Sequence, residues 1–294
     1  MHYSLAKGTN LEGPIAGGIA EYSKFSGWPE LKEALMAGKI QAAYMLAPMV
    51  MDLADKGVPV KIVGLGHRSG AVIMVKTDSP YQTFADLKGK RVAIPSRFAV
   101  DHIFVRKIMK QYGMTTRDLE MVEMPPPDMP AALYAGAVDA YATGEPFGAV
   151  SQKAGYGRPL YMTRDYWPNY LCCVLTVRDD LVQKDRPMVQ KLVNHIMAAG
   201  LWLDSSPAHR THGVEIAAGP NFFNQDPELL KFVMRNPPDR VTYGDLRLLR
   251  QEFDELVQLS LEAGILSRPV SYEKFVDESF VHNLKAVEIA LDAR

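Results

Sequence analysis

From residue 40 to residue 177 short apolar runs alternate with stretches of helical periodicity, and beyond Arg178 only the helical periodicity remains. The runs IQAAYML (40–46), VKIVGLG (60–66), AVIMVK (71–76), RVAIP (91–95), LEMVEM (119–124), VDAYAT (138–143), RPLYMT (158–163) and YLCCVLTV (170–177) have the length and the branched residues of strands. A further strand is expected at Glu21–Phe25. Between them come helical segments: one near Pro29, one opened by Pro48, YQTFADLKG, one starting at Ser96, MPAALYAG and FGAVSQKAG. In the fourth of these Val100, Ile103, Phe104, Ile108 and Met109 recur at helical spacing. Such alternation builds α/β layers with mostly parallel sheets. The tail reads as helices alone (187–203, DPELLKFVM and 243–265), and is expected to pack back onto the first sheet.

At 294 residues the chain has room for about two domains. The pattern restarts at Ser79, which divides it into a discontinuous lobe I (1–75 plus 176–294) and a lobe II (76–175). Two strand crossings, near 74–76 and 170–176, would form the hinge of a clamshell. Ligands of such folds sit beyond the carboxyl ends of the strands, in the cleft between lobes.

Charge and motif content narrow the function. Lys and Arg total 33 against 34 Asp and Glu, a net charge of −1, which lacks the cationic surplus of a general nucleic-acid binder. No apolar stretch approaches the ~20 residues of a membrane span. The start, MHYSLAKGTNLEGPIAGG, lacks the layout of a secretory signal, so export would require a leader beyond the sequence given. Nucleophile-elbow, phosphate-loop, HExxH and GxGxxG motifs are missing, and no catalytic residue, metal ligand or cofactor is assigned. Cys172 and Cys173 are adjacent; on a strand they would face opposite ways, as two small buried hydrophobes. His209 and His212 read as a solvated pair, and a proton-transfer role for His67 or His102 has no support.

Four strand-end loops carry the candidate ligand contacts: Ser26-Gly27-Trp28, Ala47-Pro48-Met49, Ser96-Arg97-Phe98 and Gly144-Glu145-Pro146-Phe147. Three of them open a helix, which turns free amide donors and the positive dipole end toward the cleft. With the Ser96 hydroxyl and the Arg97 guanidinium added, a ligand with an anionic group is expected. Trp28 and Phe98 would form apolar walls. The binding set is therefore Trp28, Pro48, Met49, Ser96, Arg97, Phe98, Gly144 and Glu145. Plainer roles compete: Trp28 as core or lid, Arg97 paired with Asp101, and Glu145 capping nearby amides.

The string PPPDMPAALYAGAVDAYATGEPFGA (125–149) resembles the nitrate/sulfonate/taurine branch of ABC-importer substrate-binding proteins. ELKEALMAGKIQAAYMLAPM (30–49) and FADLKGKRVAIP (84–95) are similar to the same family, and the likeness runs from about 20 to 205. It implies a type II periplasmic-binding-protein clamshell, monomeric and without catalysis. Such a protein closes on a small ligand and presents it to a membrane permease on the outer side of the cytoplasmic membrane. It also implies that Trp28 and Gly144 touch the ligand. Two departures stand out. Leu171–Cys173 occupy the place where nitrate-type members carry a basic residue and bicarbonate-type members an acidic one, which makes an organic ligand as reasonable as an oxyanion. The family's first strand and helix have no counterpart ahead of Glu21, so the N-terminus reads as truncated or divergent. The enzyme alternative is a thiamine-pathway pyrimidine-precursor synthase, or a pyrimidine-binding protein of the same fold; relatives there carry a cysteine cluster at the place of Cys172–Cys173. A cytosolic sensor reusing the fold is the third reading.

Overall fold

The computed structural model describes residues 27–168, 170–219 and 224–287, with residues 23, 25 and 289. Ser26 and most of the strand expected at Glu21–Phe25 lie outside the described residues. Helix α1 (Trp28–Met36) carries Pro29 in its first turn, where no amide donor is needed, and Gly38 at φ +69° follows its end. Strand β1 (Ala42–Leu46) runs straight into α2 (Ala47–Asp55), again with proline in the first turn. Then come β2 (Val60–Leu65), the two-residue β3 (Arg68–Ser69) and β4 (Ala71–Lys76). The next stretch holds β5 (Arg91–Ile94), α3 (Val100–Gln111), β6 (Glu120–Glu123), α4 (Met129–Ala135), β7 (Ala140–Gly144), α5 (Phe147–Lys153) and β8 (Gly157–Met162). A short α6 (Thr163–Tyr166) precedes β9 (Cys173–Arg178). The tail comprises α7 (Asp179–Lys184), α8 (Arg186–Ser205), α9 (Pro207–Ala218), α10 (Pro227–Arg235), β10 (Val241–Thr242), α11 (Arg250–Glu262), α12 (Tyr272–Phe275) and α13 (Ser279–His282).

The strands form two main sheets. In one, β9 lies between β1 and β2 and runs antiparallel to both. The other has the order β6-β5-β7-β4-β8. Within it β5 is parallel to β6 and β7, while β4 is antiparallel to β7 and β8. In place of the mostly parallel sheets expected from the sequence, the first sheet is antiparallel throughout and the second is mixed. The reason is topological: β4 and β9 are the strands by which the chain enters the second sheet and returns to the first, and each runs against the neighbours it joins.

Period-two alternation places β4 between two cores. Ala71, Ile73 and Val75 face the main core with Ala140 and Ala142 of β7. Val72 and Met74 face a second cluster with Tyr141, Met129 and Leu133. Each buried branched side chain contributes roughly 1.5–3 kcal/mol of transfer free energy, so a one-residue slip here would be penalised on both faces.

Three helical expectations are revised. YQTFADLKG forms only a 3-10 turn at Phe84–Leu87, closed by a capping box of Thr83 and Asp86. The helix expected from Ser96 starts at Val100, because Ser96–Ala99 close a turn of their own: the Ala99 amide donates to Ser96 O at 2.9 Å and the Phe98 amide to Ser96 Oγ at 3.2 Å. The helix expected over 243–265 starts at Arg250. Residues 243–249 ahead of it form no helix, and Asp204 Oδ2 accepts the amides of Tyr243 and Gly244, both at 2.6 Å.

The tail does more than cover the first sheet. Its far end does pack there, with Val276 bridging Ile62 of β2. Its middle, α8 to α10, instead forms a core with Ala149 of α5: Ala199, Leu203, Val214, Ala217, Leu230 and Val233. The short β10, a strand beyond Arg178, pairs with β3.

Candidate functional site

Two backbone passages link the sheets, 66–70 between β2 and β4 and 163–172 between β8 and β9. The first lies ahead of the crossing expected at 74–76 and the second overlaps the start of the one expected at 170–176, since β4 and β9 belong wholly to the sheets they enter. The passages are stitched to each other. Gly66 N–H donates to Cys173 O at 2.7 Å, Ser69 N–H donates to Tyr170 O at 3.3 Å, and Arg68 forms an antiparallel bridge with Leu171. Gly66 has no room for a side chain: a Cβ there would stand 2.8 Å from Cys173 O and 3.1 Å from the Tyr44 ring. Thr163 Oγ1 closes the seam by donating to Ala71 O at 3.0 Å.

Arg68 anchors the tail to the first passage. Its Nε donates to Asp245 O at 2.7 Å and Nη2 to Arg247 O at 3.1 Å, while Nη1 pairs with Glu252 Oε2 at 2.9 Å. A hollow of about 680 Å³ beside this anchor is lined by Trp167, Leu171, Leu248, Glu252, Leu256 and His282, and includes none of the eight candidate contacts.

Those eight residues meet different environments. Trp28 is half-buried at the head of α1, packed on the main core. Pro48 and Met49 are buried, Met49 at 4 % exposure inside that core. Ser96 is buried with its hydroxyl engaged by the Phe98 amide. Arg97 is exposed, its guanidinium 5.0 Å from the centre of the half-buried Phe98 ring; the loop is braced by His102 Nδ1, 2.8 Å from Arg97 O, and by Glu123, which accepts the Arg97 amide at 3.2 Å. Asp101 is buried, 3.5 Å from the Tyr170 hydroxyl that donates to it, and takes no part in an ion pair with Arg97 among the described residues. Gly144 is half-buried opposite Ala71, beside the first passage.

Glu145 is engaged by the tail and caps an amide, as its plainer role would have it. Its Oε1 accepts Arg240 Nε at 2.6 Å and pairs with Arg240 Nη2; its Oε2 accepts the Ala149 amide at 2.9 Å. Burial pushes this carboxyl above its usual range, opposed by the Arg240 charge. The side chain is spent on holding the turn to the tail.

The sequence reading missed a polar cluster at the seam. A ring nitrogen of His67 and the sulfurs of Cys172 and Cys173 all lie within 4.8 Å of one another. Both cysteines are free, and their sulfurs are 3.8 Å apart. The hydrogen bond to Cys173, then burial, push the Cys172 thiol well above its ordinary value. Tyr44, raised mainly by burial, points a buried hydroxyl without a partner into the same neighbourhood. Burial likewise pushes Asp101 up to about 6. Adjacent cysteines on a regular strand would have diverged; the strand begins only at Cys173, and the irregular Cys172 brings both sulfurs to one side.

An α/β architecture of two sheets, one antiparallel and one mixed, joined by a pair of passages and closed by a helical tail, defines a type II periplasmic-binding-protein clamshell. The ligand-binding component of an ABC-type import system from Staphylococcus aureus, solved with zinc bound, superposes with a TM-score of 0.84 at 26% identity, covering 97% of this chain and 96% of that one. The alkanesulfonate-binding protein SsuA from Xanthomonas axonopodis, bound to MOPS, shares the fold with a TM-score of 0.79 at 21% identity over 94% of both chains. The NMT1-like family model matches residues 11–218, and the chain belongs to the NMT1-like family. A curated relative, the nitrate/nitrite binding protein NrtA of Nostoc, is 24% identical over 251 residues, which is 77% of this chain and 56% of the relative. The chain thus spans about half the length of that relative.

Proposed function

We propose that this protein is the solute receptor of an ABC importer: it closes two lobes on a small ligand bearing an anionic group and delivers it to a membrane permease. The observation that carries the reading is the pair of stitched passages at 66–70 and 163–172, the only chain connections between the two main sheets among the described strands. Strands joined in this way can rotate as bodies while the seam stays intact, the hinge geometry of ligand-driven closure. The lobes are taken as 1–75 with 176–294 and 76–175, refined to the passages just named. The relatives bind nitrate, nitrite or sulfonate-type ligands by name, which favours an oxyanion or organic anion. Trp28, Ser96, Arg97, Phe98 and Gly144 form the proposed contact set, with Arg97 as the exposed cation. Pro48, Met49 and Glu145 leave it because packing and the Arg240 pair occupy them. The receptor works as a monomer, without catalysis, on the outer side of the cytoplasmic membrane; among the described residues no helix is long and apolar enough to cross a membrane.

The test is thermal unfolding and tryptophan fluorescence of the purified chain with nitrate, bicarbonate, taurine, alkanesulfonates and pyrimidines. One ligand class should raise the midpoint and quench emission saturably, with the quench lost in Trp28→Phe. Failure of every class to shift either signal would overturn the receptor reading.

A further inference from the structure

We propose that His67, Cys172 and Cys173 form a binding site for a thiophilic metal ion, Zn²⁺ in the first instance, with one coordination position left open. This assignment stands on the three side chains and is independent of which solute the receptor carries.

The spacing of the donors fits the ion. Zinc–sulfur bonds of about 2.3 Å in a tetrahedron place two sulfurs about 3.8 Å apart, and the Cys172 and Cys173 sulfurs stand at 3.8 Å. The imidazole lies within 4.8 Å of both, so small rotations of the side chains bring all three donors to bonding distance. Two thiolates and an imidazole are a donor set that favours zinc over the hard cations magnesium and calcium.

The hydrogen bonding of the ring leaves one nitrogen for the task. His67 Nδ1 is 3.1 Å from Ser69 O, so it donates its proton to that carbonyl and leaves the Nε2 lone pair free for a metal. Metal-binding histidines are held in this way, with the second nitrogen bonded to a carbonyl or carboxylate. The backbone is constrained. The 2.7 Å bond from Gly66 N–H to Cys173 O, and the absence of any space for a Cβ at Gly66, fix the residue before His67 against the cysteine strand.

The cluster is reachable. His67 and Cys173 are only half-buried, whereas Cys172 forms the floor. Three protein ligands leave a fourth position for water or an outside ligand, as in zinc sites that exchange ligands. Since His67 belongs to one passage and the cysteines close the other, a bound ion would cross-link the seam itself.

The experiment uses the whole chain, reduced and stripped with a chelator, then titrated with Co²⁺ and with Zn²⁺ against a competing chromophoric chelator. Co²⁺ should give one equivalent of thiolate-to-metal charge-transfer absorption together with tetrahedral ligand-field bands, and Zn²⁺ should abolish both. Cys173→Ser and His67→Gln should each weaken Zn²⁺ binding by roughly 100-fold or more, since even residues that only orient ligands cost 10–100-fold when changed. A reduced, folded wild-type chain that gives no charge-transfer band would overturn the assignment, with no variant required. So would Zn²⁺ binding that both substitutions leave unchanged, which would mark an adventitious ion elsewhere. Neither result bears on solute binding, which is read separately by the unfolding shift with nitrate or sulfonates.

Discussion

Arg240 closes over Glu145 with both side chains almost out of solvent, at 1 % and 3 % exposure. The pair joins residues 95 apart: the glutamate of the turn after β7, and an arginine between α10 and β10 that also donates Nη1 to Gln152 Oε1 at 2.8 Å and to Asn236 O at 2.9 Å. The tail is thus pinned to the second sheet at one buried point and, through Arg68, to the first passage at another. A buried pair need not stabilise relative to an apolar replacement, but each partner becomes costly once the other is lost.

Arg240→Met is therefore expected to destabilise the fold by about 3–5 kcal/mol, the cost of a buried carboxylate left unpaired. The double variant Arg240→Met with Glu145→Leu should recover a large part of that loss. Urea unfolding midpoints of the two variants decide the point. A single variant within about 1 kcal/mol of the wild type, by comparison with typical surface changes, would show that the pair holds nothing.

Gly66→Ala tests the seam. A methyl group would stand 2.8 Å from Cys173 O, a backbone atom that cannot rotate away. The strand ends must part, and the hydrogen bond between the same two residues lengthens with them. Overpacking of this kind costs about 1–3 kcal/mol, measurable as a lower midpoint of denaturant unfolding. An unchanged midpoint would mean that the two passages yield freely.

Much of the scaffold was legible because local pattern sufficed for it. The strand AVIMVK is buried on both faces and appears at 71–76, and Pro29 and Pro48 mark true helix starts. What local pattern could not reveal was pairing over distance. Nothing around Arg240 announces Glu145, and nothing around Asp204 announces the amides of Tyr243 and Gly244 that it accepts. Met49 sits after a strand, where ligands often bind, yet the core claims it. Cys172 and Cys173 looked divergent because a regular strand was assumed through both. Only a break in regularity one residue earlier puts their sulfurs on one side of the chain beside His67, which is 105 residues away in sequence.

Arg97→Ala separates binding from folding. The side chain is exposed, and the loop is held by its backbone and by His102. Its removal should leave stability within about 0.5 kcal/mol. Loss of a charged hydrogen bond worth roughly 1.5–3 kcal/mol should weaken an anionic ligand by about 10- to 150-fold. Isothermal titration with the ligand found in the screen measures this. Equal affinities in the two proteins would remove Arg97 from the contact set.

The buried Asp101 gives a pH dependence of defined sign. Burial raises its carboxyl to about 6, against an ordinary 3.8, although its own backbone amide, the His67 charge and the Tyr170 hydroxyl favour the charged form. Between about pH 4 and pH 6 the folded chain holds a proton that the unfolded chain has released, so this residue makes stability fall as pH rises through that window. Two units correspond to roughly 3 kcal/mol, absent below pH 4 and fully expressed above pH 6. Asp101→Asn, an isostere of the protonated acid, should remove the slope. The variant should match the wild type near pH 4 and exceed it in stability at pH 7.5, when midpoints are compared across the range. A difference that stays constant with pH, or one that grows toward low pH, would show that Asp101 is charged in the folded protein throughout and that its burial is compensated by its neighbours.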